Sequence, residues 1–335
     1  MKRNLSIVLA VMLVVSMLAG CGGKTEQPKE TALKLGMAVL PSISGSTAAT
    51  AEAEGKADFD VTVVAVLVDD EGIIRDCIID SVGTNVKFNA NGEPVDFDAA
   101  KAIQTKNELG EAYGMKAYAG SKYEWNEQAA ALAKFAVEKN VADLRNGAVN
   151  ESGKAKDADL ASVATIHIGS YVNAIEKAVA NAQHLGAKSG DQLKLGVMNT
   201  MAAAAAGEKD GSIELTLDAA ALTMNGETIT SCYIDSLQAK VTFNAAGEIT
   251  NDVTVAPQTK NELGEAYGLK AYAGSKYEWN EQAANYASYI TNKTVADVAG
   301  IALAETTKPA DGTDLAATVT IAIGGFQALI AKTAK

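Results

Sequence analysis

One 27-residue passage is written twice in this chain. Residues 104–130 read QTKNELGEAYGMKAYAGSKYEWNEQAA, and residues 258–284 repeat them with one change, Leu269 for Met115. The likeness continues on both sides. Leu33-Lys34-Leu35-Gly36 matches Leu193-Lys194-Leu195-Gly196, Cys77 matches Cys232, Asp80-Ser81 matches Asp235-Ser236, and Asp159-Leu160-Ala161 matches Asp314-Leu315-Ala316. A solenoid unit is roughly 20–50 residues long, whereas the period here is about 155. That is the size of a domain. The spacing therefore predicts two tandem copies of one domain, residues 33–185 and 193–335, divided in the polar stretch 185–192. With 335 residues, 48% of them hydrophobic, each copy has enough apolar side chain for a core of its own.

Both copies read alike. Residues 61–68 are apolar and β-branched, Asp69-Asp70-Glu71-Gly72 is a turn, and residues 73–80 return as a strand. In the second copy, runs at 213–217 and 219–224 lead into Asn225-Gly226, the strongest short hairpin signal. A further strand is expected at 85–89 and 240–244, with Gly92 or Gly247 turning the chain after it. Thr105 with Glu108 and Ser121 with Glu124 have capping-box spacing, as do Thr259 with Glu262 and Ser275 with Glu278, so each pair should open a helix. Trp125, Ala129, Leu132 and Ala136 then form one apolar helix face. A short strand is expected from Thr165 to Ile168, followed by a closing helix near 170–182. Strands and helices segregate within each copy, so the class is α+β, each repeat a small antiparallel sheet packed with helices.

The N-terminus reads as a targeting segment. Lys2 and Arg3 precede a 13-residue apolar run, 5–17, which is right for a signal-peptide core and short for a membrane span of roughly 20 residues. It ends in Leu18-Ala19-Gly20-Cys21, which resembles the lipobox of bacterial lipoproteins. Residues 1–20 are thus expected to be a signal peptide, Cys21 the lipidated residue, and the polar stretch 21–32 a flexible tether. The body is then extracytosolic and held at the cell membrane by its lipid. Cleavage before Cys21 leaves 27 basic and 41 acidic residues. So acidic a chain repels phosphate backbones, which argues against a nucleic-acid partner.

Few residues point to catalysis. The two histidines, His167 and His184, have no companions at ligand spacing, so no metal site is expected. No nucleophile elbow, P-loop or calcium loop occurs. Cys77 and Cys232 read as buried strand thiols. The repeated block is the conspicuous feature. It holds both tryptophans and six of the ten tyrosines: Tyr113, Tyr118, Tyr123 and Trp125, with Tyr267, Tyr272, Tyr277 and Trp279. These could form a ligand surface, Trp125 and Trp279 serving mainly as core anchors and Tyr118 and Tyr272 standing exposed.

The order of hairpin, helical middle, then Asp–strand–helix resembles the FMN-binding domain of extracytosolic flavoproteins. That family closes on a D-x-x-S-G-A-T motif whose last Thr takes FMN through a phosphoester bond. Asp159, Ser162, Ala164 and Thr165 stand at the matching spacings, with Val163 in place of Gly. The second copy keeps Asp314 and Thr320 but has Ala317, Thr318 and Val319 between them. The resemblance implies FMN, covalently attached or loosely bound, with Thr165 the fuller match. It further implies a tandem lipoprotein that carries or docks flavin for extracellular electron transfer to a redox partner, an electron carrier rather than an enzyme. The alternative is a non-enzymatic surface lipoprotein that binds a ligand or partner through its two aromatic-rich blocks.

Overall fold

The computed structural model describes residues 31–305 and 307–335. The expected signal peptide, the expected lipidation residue Cys21 and the expected tether up to residue 30 lie outside the described residues. The class is α+β.

The first repeat builds β1 (Lys34–Ser42), β2 (Gly55–Val68), β3 (Ile74–Phe88) and the two-residue β4 (Pro94–Val95), antiparallel in that order. The second builds β5 (Gln192–Ala204), β6 (Gly211–Asn225) and β7 (Thr228–Phe243), again antiparallel in sequence order. The segments expected as separate strands at 73–80 and 85–89 are one continuous strand, β3, because the whole of its length pairs with β2. Likewise β7 pairs with β6 from Thr228 to Phe243. Strands β1 and β5, which the alternation did not single out, complete each sheet.

Both faces of each sheet are buried near its long hairpin turn, at residues 61–68 of β2 and 219–224 of β6. This is why β2 reads as an almost unbroken apolar run and not as an alternation. Val61, Val63, Ala65 and Leu67 point into a core between the two sheets, together with Ile213, Leu215 and Leu217 of β6. Val64, Val66 and Val68 point the other way, into a core with the first repeat's helices. In the second repeat, Leu222 and Met224 do the same. The order of layers is helices, sheet, sheet, helices. Residues 33–185 and 193–335 thus each supply one sheet and one helical layer, and the inner sheet faces close a common core within one compact unit, Ala32–Lys335.

The helices of the first repeat are α1 (Lys106–Leu109), α2 (Met115–Ala119), α3 (Trp125–Ala136), α4 (Val141–Ala148), α5 (Ala158–Ala161) and α6 (Gly169–Ala180). Those of the second are α7 (Lys260–Leu263), α8 (Leu269–Ala273), α9 (Trp279–Ile290), α10 (Val295–Ala299) and α11 (Gly324–Thr333). Trp125, Ala129, Leu132 and Ala136 all face inward on α3.

Contacts across the sheets are reciprocal, as in an isologous dimer. Phe88 stacks on its own counterpart Phe243, ring centroids 4.2 Å apart and planes within 5°. Lys177 on α6 pairs with Glu262 of the other repeat, and Lys332 on α11 pairs with Glu108, at 2.6 and 2.5 Å. Gly92 and Gly247 are glycine for the same reason twice. A Cβ on Gly92 would stand 2.6 Å from the Asn244 carbonyl, and one on Gly247 would stand 2.9 Å from the Asn89 carbonyl. The connector between repeats is held in place, with Ala187 buried and its carbonyl accepting from Leu33 N–H.

Candidate functional site

The repeated block folds as a bracket over the end of its sheet. The Thr105 hydroxyl caps α1 and the Glu108 carboxylate answers to the Thr105 amide, completing the expected box. The helix is moored to β3 by Asp80, whose carboxylate accepts from Asn107 N–H at 3.1 Å, while Asn107 Nδ2 donates to the Ile79 carbonyl. Asp235, Asn261 and Ile234 repeat this arrangement. Burial raises the pKa of both aspartates, against hydrogen bonds from Thr105 or Thr259 and the neighbouring amides, and brings Asp235 to about 6.

The second helix start differs from the expectation. Glu124, not Ser121, caps α3, with Glu127 completing the box. The buried Glu124 carboxylate also accepts from the amides of Met115 and Lys116, so it ties α2 to α3. The Ser121 hydroxyl instead donates to the Tyr123 carbonyl and accepts from Gln128 Nε2.

Gln128 joins the block to the motif loop. Fully buried, it accepts at Oε1 from the amides of Thr165 (2.8 Å) and Ile166 (3.1 Å) and from the Thr165 hydroxyl (3.2 Å). Gln282 holds Thr320 and Ile321 in the same way. Thr165 to Ile168 is consequently not the expected strand. These residues form a loop with one isolated bridge, His167 to Lys154, because the Thr165 and Ile166 amides go to a glutamine side chain instead of a neighbouring strand. Val163 and Thr318, at the family's Gly position, do not have positive φ, so a β-branched residue fits there without strain.

In the second repeat this arrangement borders a cleft of about 710 Å³, within the usual range of small-ligand sites. Lys260, Lys276 and Lys308 line it, with Trp279, Thr320 and Phe326. Among the described residues none of the three lysines forms an ion pair. The Lys260 ammonium stands 5.0 Å from the ring centroids of both Tyr267 and Trp279, so the aromatic pair presents a cation rather than a bare stacking face. Asp218 lies in the wall, its carboxylate accepting from the Ser236 hydroxyl. Burial raises its pKa, against that hydrogen bond and the charge of Lys260.

The first repeat uses the same block differently. Lys106 is only 8% exposed, between Tyr113 (5.5 Å), Trp125 (5.3 Å) and the Asp60 carboxylate (3.7 Å). Trp125 Nε1 donates to the Tyr171 hydroxyl at 3.0 Å. Phe326 occupies the position of Tyr171 and packs edge-on to Trp279, with no hydroxyl to offer.

The remaining residues singled out in the sequence scatter. Tyr118 and Tyr272 are 91% exposed, Tyr113 sits at the surface, and Tyr267, Tyr123 and Tyr277 are half-buried. Asp159 and Ser162 are exposed, the serine hydroxyl donating to the Asp159 carbonyl, and Asp314 is exposed as well. Neither Asp159 nor Ser162 bonds to Thr165. Cys77 and Cys232 are buried, which pushes their thiol pKa values up, away from reactivity. Among the described residues no acidic, histidine or cysteine cluster could hold a metal, and no helix is long and apolar enough to cross a membrane.

The residues that assemble the site and carry no sequence signal of their own are Gln128, Gln282, Lys260, Lys276 and Lys308. All but Lys308 lie inside the repeated block, where the aromatics drew attention first. The donor set suits the phosphate of the group implied by the resemblance, with three ammonium groups in one cleft. No family model, curated protein or solved structure matches the chain.

Proposed function

We propose that the chain is an extracytosolic lipoprotein, tethered to the cell membrane through Cys21, that carries an anionic ligand in the cleft of its second repeat. Flavin mononucleotide, implied by the motif resemblance, is the ligand, and electron transfer is its use. The observation that carries this reading is a cleft holding three lysines without carboxylate partners in a chain of formal charge −12. Unpaired ammonium groups in a confined site favour a compact anion. Bound FMN supplies one- and two-electron redox chemistry. The protein's part is to hold the phosphate with Lys260, Lys276 and Lys308, to keep Lys260 in place against Tyr267 and Trp279, and to fix the Thr320 loop through Gln282.

The test is a titration of the full chain with FMN and with riboflavin, which lacks the phosphate. FMN is expected to bind at least tenfold more tightly, and Lys260→Gln with Lys308→Gln should remove the difference. Equal affinity for the two flavins would sink the phosphate role. A second reading rests on the 91% exposure of both Tyr118 and Tyr272: the paired knobs dock a partner bivalently. It would be favoured if Tyr118→Ser and Tyr272→Ser abolished surface binding while FMN affinity held.

A further inference from the structure

We infer that the second repeat alone carries the ligand, and that the residue at positions 171 and 326 decides this: Tyr171 closes the first site and Phe326 leaves the second open. This inference rests on the binding reading above. The blocks differ only in one apolar residue, Met115 against Leu269, so their lysines and aromatic rings are the same in both repeats. The cause lies outside the block, and Tyr171 and Phe326 are the pair that touches the block tryptophan in each repeat, at 5.7 and 6.0 Å between ring centroids.

In the first repeat the donors beside the block tryptophan are used internally. The indole N–H of Trp125 goes to the Tyr171 hydroxyl, and the buried Lys106 ammonium faces Asp60 and two rings. An entering anion would have to break a buried hydrogen bond and compete with Asp60 for the Lys106 ammonium. In the second repeat the indole N–H of Trp279 has no partner among the described residues, and Lys260 is half-exposed and unpaired: Thr216 fills the strand position of Asp60, and Asp218 stands two residues further along, at that of Thr62. Here a ligand meets donors that are already free. The fuller motif match, Asp159-Ser162-Ala164-Thr165, is therefore in the repeat whose site is shut, and the poorer match, at Thr320, borders the open cleft.

The experiment is calorimetric titration of the full chain with FMN. Wild type should take up one FMN per chain. Phe326→Tyr should weaken that binding at least tenfold, and Tyr171→Phe, which removes only a hydroxyl, should add a second site. Two equivalents bound by wild type, or wild-type affinity in Phe326→Tyr, would overturn the inference while leaving the binding reading intact. Tyr171→Phe that folds as wild type yet still binds one FMN would overturn the role of the hydroxyl. Absence of FMN binding in wild type and both variants would remove the binding reading itself, and this inference with it.

Discussion

Lys106 and Lys260 sit in the same eleven-residue string, QTKNELGEAYG, and yet one is buried against a carboxylate while the other borders a cleft with no ion pair. The local fold is the same in both: the same capping box, the same aspartate mooring, the same glutamine clamp. What differs is what surrounds it: Tyr171 against Phe326 on the closing helix, and Asp60 against Thr216 on the sheet. Identical sequence fixes the backbone of the bracket, and neighbours from outside it set what the bracket offers to solvent. Local sequence and site chemistry are thus separable here, and each of the following measurements presses on that separation.

The largest effect concerns whether the repeats can be treated as separate at all. Phe243→Ala should cost about 3–5 kcal/mol, the usual range for truncating a buried phenylalanine, because Phe243 stacks on Phe88 in the shared core. Urea unfolding followed through Trp125 in a Trp279→Phe background, and through Trp279 in a Trp125→Phe background, should give one coincident transition shifted in both. Two transitions, with only the second repeat weakened, would show that the halves stand apart.

A middle-sized effect separates the two mooring aspartates by pH. Burial brings Asp235 to about 6, against about 3.9 in an unfolded chain. Between those values the folded state keeps a proton that the unfolded state has lost. Stability from this group therefore grows as pH falls from 6 towards 4, is complete below 4, and is lost as pH rises through 6; its ceiling is about 3 kcal/mol. Asp235→Asn should flatten that part of the stability profile. A profile unchanged by the substitution would place the titration elsewhere.

The smallest effect lies at the edge of the cleft. Thr307 has φ 58°, a conformation that β-branched residues rarely adopt, and its counterpart Gly153 has φ 76°. Thr307→Gly should stabilise the protein by about 1 kcal/mol, and Gly153→Thr should destabilise it by a similar amount. Lys308 follows Thr307 directly, so a loss of FMN affinity in the stabilised variant would mean that the strain helps to aim that lysine. An unfolding free energy unaltered by Thr307→Gly would mean that the strain is absent.

Much of the scaffold could be read in advance because its causes are local. The duplication, the Asn225-Gly226 hairpin, the Thr105 box and the Trp125 stripe each depend on residues close in sequence. The failures have long-range causes. Thr165 to Ile168 has the composition of a strand, but its first two amides are claimed by Gln128, 37 residues before Thr165. Ser121 has capping spacing, but the carboxylate of Glu124 takes the helix start and also captures α2. At the site, aromatic content drew attention to rings, of which Trp125 and Trp279 are buried, while the lysines between them went unmarked because isolated lysines usually mean a solvated surface.

The shared core also sets a schedule for biosynthesis. The strands β1 to β3 are complete long before the sheet that covers them exists, since residues 193–335 have yet to be made. At about 5–20 residues per second, that interval is roughly 7–30 s. Throughout it, the inner apolar face of the first sheet is unprotected, and sticky enough to pair with the same face on a neighbouring nascent chain. A chain cut short in the connector would be a half-built product with its hydrophobic side bare. Newly made chains of this kind are therefore expected to engage a holding chaperone until the second sheet is made.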